Sequence, residues 1–503
     1  MEDSLKKRYS IKLLTNIISG FMGAVLVAIV PKALGPLAYG QFVYLQDFFM
    51  KAIGFLDMGS STAFFTKLSA DHTRKELISF YFLYSFAVLI IIVLFIFLVK
   101  AFGYTQNVLP NIPDEYIFMG LFFGFFTWLT QIFIKISDAY ALTVSVELIK
   151  IGHKVVSLLL LIYLVYMTTF DLKSYFYFHY MALLSFLCIL TWLFIKKEIL
   201  KDLKSSILNS QFSTIKQEFI EYCHPLVVFS IMGLIVGFLN IWLLQTYSGS
   251  TQTGFYGLAY SIATICFLFT SAMTPILTRE FSKAYGEEDI EKMRTLFYRY
   301  IPMLYAIASF FSIFISMQSD NVLSIFADEK FKDASIVLMV MSLYPIHQTY
   351  GQLSSSVFYA MGNTKLYRNI AFFTQPLMLL LSYVFIVTLD FGALGLAYSM
   401  LATQLIGTNI GLYFNAKFLK LELKYFILHQ IYTIVFFALL AFVSSQLFHL
   451  HLVIMNFLVS GIIYTILVII FLYIFPQVFA TNRNEIKYYL MKAQNVIKNK
   501  VEK

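Results

Sequence analysis

The sequence predicts an all-α polytopic membrane protein with about 14 transmembrane helices, and three observations carry that prediction. Of 503 residues, 59% are hydrophobic and only 13% charged, whereas ordinary soluble domains carry about 25% charged residues. The apolar residues come in continuous runs of about 20, the length that crosses a hydrocarbon core as a helix. They lack the alternation that marks the ~10-residue strands of a membrane barrel. Finally, Lys and Arg collect between alternate runs, as in the cytoplasmic loops of membrane proteins. Such a composition excludes a soluble enzyme, a disordered scaffold and a nucleic-acid-binding protein. The net charge of +9 belongs to loops rather than to a face for a polyanion.

The elements follow in order. Lys6, Lys7 and Arg8 precede the first run, 11–30, which is longer than a secretory h-region and reads as an uncleaved span. Further spans are expected over 38–58, 77–99, 115–135, 142–166 and 174–195, then over 224–247, 253–276, 297–317, 334–360, 366–388, 393–415, 425–446 and 452–475. The spans at 38–58, 142–166 and 334–360 contain polar or charged residues and have the weakest apolar signal. With the N-terminus inside, 28 Lys and Arg fall on the cytoplasmic side and 5 outside, with Lys12, Lys51, Lys150 and Lys154 within spans. One missed helix would scramble that bias, so both termini are expected in the cytoplasm. The chain then divides into an N-terminal bundle (1–195), a cytoplasmic linker (196–223), a C-terminal bundle (224–415), two additional spans (416–480) and a cytoplasmic tail (481–503). Residues 279–296 read equally as a helix along the membrane face or as a solvated linker. Cys188, Cys223 and Cys266 all lie in or beside apolar segments and read as buried bystanders.

An internal repeat is expected from two loops. LGPLAYGQF (34–42) has a counterpart in STQTGFYGLAY (250–260), each with a Tyr-Gly pair, Tyr39-Gly40 and Tyr256-Gly257, opening the next helix. Because six spans precede the seventh, the repeat is parallel, spans 1–6 against 7–12, with 13–14 appended.

No Walker sequence, HExxH or GxSxG occurs. No cofactor or metal site is expected, and transport is the activity that remains for such a chain. The informative residues are charges inside spans, which cost about 2.5–3.5 kcal/mol each at mid-helix and normally face a bundle interior or an aqueous cavity. Asp47 and Lys51 stand at i and i+4 on span two; Glu147, Lys150 and Lys154 form one stripe on span five. They are read as a cavity lining with one net positive charge, suited to an anion such as a pyrophosphate, against a blander reading as local ion pairs. Asp57, ending span two, is either a helix stop or a gate contact. His224-Pro225 and His347 near Pro345 fit either satisfied histidines or proline-kinked coupling sites. Asn16, Gln131, Asn240 and Gln245 are expected to bridge helices.

The runs LGPLAYGQF, FLDMGSSTAFFTKLS, GFYGLAYSIATI, YAMGNTK and FGALGLAYSMLATQLIG resemble Wzx-type polysaccharide flippases of the multidrug/oligosaccharidyl-lipid/polysaccharide exporter superfamily, over nearly the whole chain. The resemblance implies two pseudo-symmetric bundles in a V around a central cavity, and passage of undecaprenyl-pyrophosphate-linked oligosaccharide to the outer leaflet of a bacterial inner membrane. It implies H+ or Na+ coupling, contact with membrane lipid, and polysaccharide polymerase machinery as a partner. Similar proteins often carry an acid where Asn240 stands, which puts acid-based coupling from that helix in doubt. The rival readings are an ion-coupled multidrug or small-molecule antiporter and a membrane assembly scaffold.

Overall fold

A computed structural model describes residues 5–71, 73–200, 212–447 and 450–485, and within them every regular element is helical. They are α1 (Leu5–Asp57), α2 (Ser60–Ala70), α3 (Glu76–Ala101), α4 (Thr105–Val108), α5 (Asp114–Ala139), α6 (Thr143–Met167), α7 (Leu172–Lys196) and α8 (Phe212–Ala263). The series continues with α9 (Leu268–Gly286), α10 (Ile290–Met317), α11 (Ser319–Phe326), α12 (Ala334–Met341), α13 (Tyr344–Ala360), α14 (Thr364–Ser382), α15 (Gly392–Leu419), α16 (Leu423–Leu447) and α17 (Val453–Ile474).

Among the described residues, ten helices are long and apolar enough to cross a membrane. Two of them, 18–57 and 231–267, run through a glycine at positive φ, Gly35 (φ 75°) and Gly249 (φ 80°), and are each two arms. Every expected span falls on helix. The exceptions to regularity are local: a 3₁₀ turn at Thr264–Phe267 interrupts the eighth, the tenth breaks between Met341 and Tyr344, and the eleventh ends in a π-helical stretch over Tyr383–Thr388. The apolar flanks are exposed where hydrocarbon would cover them, as at Phe97 of α3 and Ile462 of α17. Burial concentrates instead in helices such as α5 and α10.

Three expectations change. Residues 279–296 are neither one surface helix nor a linker. Residues 279–286 end α9 and 290–296 begin α10, because Asp289 caps the new helix by accepting from the Lys292 amide at 2.8 Å. Cys188 is exposed; only Cys223 and Cys266 are buried. By packing, the chain forms two units, one of residues 1–257 with 382–393, the other of 258–381 with 394–503. The sequence division put 224–257 with the later spans, whereas α8 up to Gly257 packs with the first unit.

In the first unit, the arms of α1 and α8 cross so closely that only glycine fits. A Cβ at Gly40 would lie 1.7 Å from the Ser250 carbonyl oxygen, and one at Gly254 would lie 2.2 Å from the Pro36 oxygen. Gly40 stands five residues after Gly35, and Gly254 five after Gly249. The contact is therefore reciprocal, and the repeat pairs Gly40 with Gly254, not with Gly257. Gly257 meets Val43 instead, at 2.6 Å from a built Cβ.

The second unit packs α9, α10, α13, α15, α16 and α17 about Phe281, Phe297, Tyr305, Tyr350 and Phe437. Pro345 does not kink its helix. It occupies the first turn of α13, where its missing N–H is no loss.

Candidate functional site

The second arm of α1 (36–57) organises the first unit. One of its faces lies on α5, where Gly120 and Gly124 admit Leu45 and Phe49; a Cβ at either glycine would come within 2.9 Å of those side chains. Another meets α8. There the Lys51 ammonium donates to Asp47 Oδ2 at 2.6 Å and to the Gly237 carbonyl at 2.7 Å. Gly237 permits this, since a Cβ would sit 3.2 Å from Lys51 Cε. The Asp47–Lys51 pair expected from i,i+4 spacing is thus formed, and its lysine also ties α1 to α8.

On α6, Lys150 pairs with Glu147 at 3.0 Å, and Glu147 is only 2% exposed. Lys154 is half-buried, near the middle of the 25-residue helix, and enters no ion pair among the described residues. The two charge groups stay on their own helices; no hydrogen bond or ion pair joins Asp47 or Lys51 to the α6 stripe. The charge excess is therefore Lys154.

Asp57 ends the α1 arm as the centre of a network. Its carboxylate accepts from Ser60 Oγ (2.8 Å), the Ser61 amide (3.0 Å), Ser61 Oγ (2.8 Å) and Tyr81 Oη (2.7 Å). Lys135 of α5 donates to Ser61 Oγ at 2.7 Å. The chain turns here through Met58 and Gly59, both at positive φ, and α2 starts on the Asp57 carboxylate. Helix stop and three-helix junction are one device. Sequence spacing shows the serines at i+3 and i+4, a capping signal, but not Tyr81 or Lys135.

Nearby, Glu218 of α8 binds Lys67 (2.9 Å) and Arg74 (3.2 Å), and Arg74 also binds Glu76 (3.0 Å). These hydrogen bonds from Lys67 and Arg74 hold the Glu218 carboxyl below the usual carboxylate range. At the far end of the arm, Gln245 bridges as expected. It donates to the Pro110 carbonyl (2.9 Å) and Ser250 Oγ (2.8 Å) and accepts from Thr253 Oγ1 (2.7 Å). Trp242 Nε1 adds a bond to the Asn107 carbonyl at 2.9 Å.

The other expected site residues lie apart. Asn240 is 3% exposed and its amide makes no hydrogen bond among the described residues, so it bridges none of them. The side chain of His224 lies outside the described residues. His347 belongs to the second unit, where its ring lies 6.0 Å from that of Tyr305 and its Nδ1 has no partner. His429 lies 6.1 Å from Tyr305 on the same ring network and donates Nε2–H to the Val478 carbonyl at 2.9 Å. His179, not singled out by the sequence, is enclosed by Phe42, Phe123, Tyr175 and Phe178.

Two cavities of more than 500 Å³ are formed by described residues of the first unit. One of about 630 Å³ is bounded by α1, α3 and α8 and includes Lys51 and Phe238. The other, about 580 Å³, adjoins Asp57, Ser60, Tyr84 and Lys216.

The MatE family model matches residues 225–384, about a third of the chain, and no curated protein matches in sequence. Solved structures match over most of the length. An inward-facing multidrug resistance MATE family transporter of the MOP superfamily shares 16% identity at a TM-score of 0.62, covering 84% of this chain and 99% of that one. The lipid II flippase MurJ, in an inward closed conformation, shares 13% identity at 0.65, covering 92% and 98%. A MOP superfamily transporter from Pyrococcus furiosus shares 16% at 0.52, covering 83% and 94%. The chain therefore has an all-helical membrane fold in common with these transporters and with that flippase.

Proposed function

We propose that the protein is a flippase that carries an undecaprenyl-pyrophosphate-linked oligosaccharide from the cytoplasmic to the outer leaflet of a bacterial inner membrane, for surface polysaccharide synthesis. The movement would be alternating access coupled to H+ or Na+, with both termini in the cytoplasm. The observation that carries this reading is Lys154. A lysine at mid-span costs about 2.5–3.5 kcal/mol, and this one forms no ion pair among the described residues, while Lys51 and Lys150 do. A positive centre suits a pyrophosphate, which Lys meets as a compact point charge. The fold shared with a lipid II flippase over nine-tenths of the chain supports the same class of substrate.

The test replaces Cys188, Cys223 and Cys266 and places single cysteines at 51, 150 and 154. A charged, impermeant thiol reagent is expected to label position 154 and to be blocked by lipid-linked oligosaccharide. Inertness of all three positions in every condition would make the stripe a structural ion-pair lock and overturn the assignment. The second reading, an ion-coupled multidrug or small-molecule antiporter, is favoured by the MatE match at 225–384. It ranks below because a positive excess opposes binding of cationic drugs.

A further inference from the structure

Tyr305 of α10 is the centre of a buried polar cluster in the second unit. Its ring lies 6.0 Å from that of His347, 5.4 Å from that of Tyr350, edge-on, and 6.1 Å from that of His429. Tyr305, Tyr350 and His429 are fully buried, and His347 is 6% exposed. Each of the four keeps a polar head without a hydrogen-bond partner among the described residues: the hydroxyls of both tyrosines and Nδ1 of both histidines. Gln430 comes near the Tyr350 hydroxyl without making the bond and donates instead to Asn409 Oδ1 of α15 at 3.1 Å. Buried polar groups are ordinarily paired, because one left alone loses its hydration and gains nothing. Four such heads on α10, α13 and α16 stand within one ring contact of Tyr305. Ionisable groups gathered in this way inside a span mark ion and proton paths.

His429 is the member whose hydrogen the geometry fixes. Its Nε2 lies 2.9 Å from the Val478 carbonyl, which can only accept, so Nε2 carries the hydrogen and Nδ1 of the neutral ring carries a bare lone pair. A buried imidazolium needs an acceptor at Nδ1, and among the described residues this conformation provides none. The ring is therefore neutral here. A proton added at Nδ1 leaves the Val478 bond in place and makes it charge-assisted. The new N–H then needs an oxygen, and the orphaned Tyr305 hydroxyl belongs to the ring beside it. Of the other polar groups around His429, Thr433 Oγ1 is 3.4 Å from Nε2, Tyr425 is a ring neighbour, and the Tyr432 hydroxyl is committed to the Gln477 carbonyl. Charges on the packed elements are engaged elsewhere: Lys292 with Glu287, Arg294 with Glu291, Arg299 with Glu485, and Arg483 over the Tyr473 ring. Lys424 lies in the first turn of α16. Two imidazoles and two phenols with no carboxylate among them suit a proton rather than Na+, since hard cations take carboxylate and carbonyl oxygens.

We propose that His429, with Tyr305 as its partner, is the site that takes up the coupling proton. The proton comes from water and returns to water; imidazole becomes imidazolium, and no other covalent bond forms or breaks. Coupling follows if a second conformation brings the Tyr305 oxygen to Nδ1 and so binds the proton more tightly than this one. The assignment rests on the flippase reading and names the ion that reading leaves open.

The experiment uses the full-length protein in nanodiscs, labelled with carbon-13 at histidine Cε1 and titrated by NMR. The His429 signal is identified by its loss in His429→Gln, whose side-chain amide can still donate to the Val478 carbonyl. It is expected to move to the imidazolium position between about pH 8 and 5, and added Na+ at constant pH should leave it unmoved. Tyr305→Phe, which removes only the hydroxyl, should weaken proton binding at His429 on the order of tenfold, as loss of one charge-assisted hydrogen bond would. A signal that stays neutral throughout, one that answers to Na+ instead, or a proton affinity unchanged in Tyr305→Phe would overturn the site. Transport separates the two claims. An imposed pH gradient should accelerate movement of lipid-linked oligosaccharide by the wild type, and His429→Gln should lose that acceleration; Tyr305→Phe carries the same comparison if His429→Gln does not insert. If the variant is accelerated as much as the wild type, the proton assignment fails alone. If His429 titrates as expected but the wild type moves no such lipid under any gradient, the flippase reading fails and the proton site stands.

Discussion

Substituting alanine at Gly40 or Gly254 tests the close crossing of α1 and α8 directly. A new Cβ would stand 1.7 Å from the Ser250 oxygen in the first case and 2.2 Å from the Pro36 oxygen in the second. Both obstacles are backbone, so no side chain can rotate away, and the arms must part by more than 1 Å to restore van der Waals contact. Overpacking that side chains can partly absorb already costs about 1–3 kcal/mol, and this crossing should cost at least that. Parting the arms would also strain the Gln245 bonds to Pro110, Ser250 and Thr253. Gly152→Ala is the matched control, because nothing lies within 4 Å of a Cβ there and alanine gains helix propensity, about 1 kcal/mol. In detergent thermal-unfolding scans, Gly40→Ala and Gly254→Ala should each melt several degrees below wild type, with Gly152→Ala at or above it. Wild-type melting of both Gly40→Ala and Gly254→Ala would refute the crossing and the repeat register drawn from it.

Other expectations follow from single contacts. Asp57→Ala should lower stability more than Asp47→Ala, because Asp57 accepts four hydrogen bonds across the α1–α2 turn and from α3, each worth about 1–3 kcal/mol when a buried partner is stranded; equal losses on melting would contradict its role as a junction. Glu147→Ala should reduce protein abundance by stranding Lys150 beside a buried site, a loss of up to about 3–5 kcal/mol for a buried pair. Abundance should return in Glu147→Ala/Lys150→Ala, and its failure to do so would show that the pair is not the reason for the loss. Glu218→Gln should destabilise the protein at neutral pH. Since Lys67 and Arg74 depress the Glu218 pKa, its contribution is complete above the ordinary carboxylate value and disappears as pH falls through the lower folded one. The difference between wild type and Glu218→Gln should therefore close on acidification, and a difference that grows would contradict the latch. His347→Phe should be neutral or stabilising, because the buried Nδ1 has no partner to lose; a drop of several degrees would reveal one.

What the sequence reveals here is what short-range geometry fixes. Continuous apolar runs locate the helices, since a span must satisfy its own backbone in lipid. Helical spacing likewise gives the Asp47–Lys51 and Glu147–Lys150 pairs. It does not say which pair is complete in itself and which charge is left over, so Lys154 stands out only once the contacts are seen. Gly40 was visible as part of a repeat, but its counterpart was misplaced by three residues. Sequence similarity favoured the Tyr-Gly pairs, whereas the constraint is five residues' distance from the positive-φ glycine that breaks each helix. The packing of α8 with the first unit, the Lys51 bond to the Gly237 carbonyl and the arrival of Tyr81 and Lys135 at Asp57 are tertiary facts. Span order favours contact between consecutive helices but does not reveal these long-range neighbours.

The central claim is the nature of the cargo, and one measurement addresses it. The purified protein is reconstituted into liposomes holding a fluorescent undecaprenyl-pyrophosphate-linked oligosaccharide in both leaflets, with an ion gradient imposed, and exposure of the sugar to an external membrane-impermeant enzyme is followed. The account predicts that wild type exposes the inner-leaflet pool and that Lys154→Ala, present at the same level, slows this strongly while Lys154→Arg retains part of the rate. Movement of cationic dyes with no movement of the lipid-linked sugar, or full activity in Lys154→Ala, would contradict it.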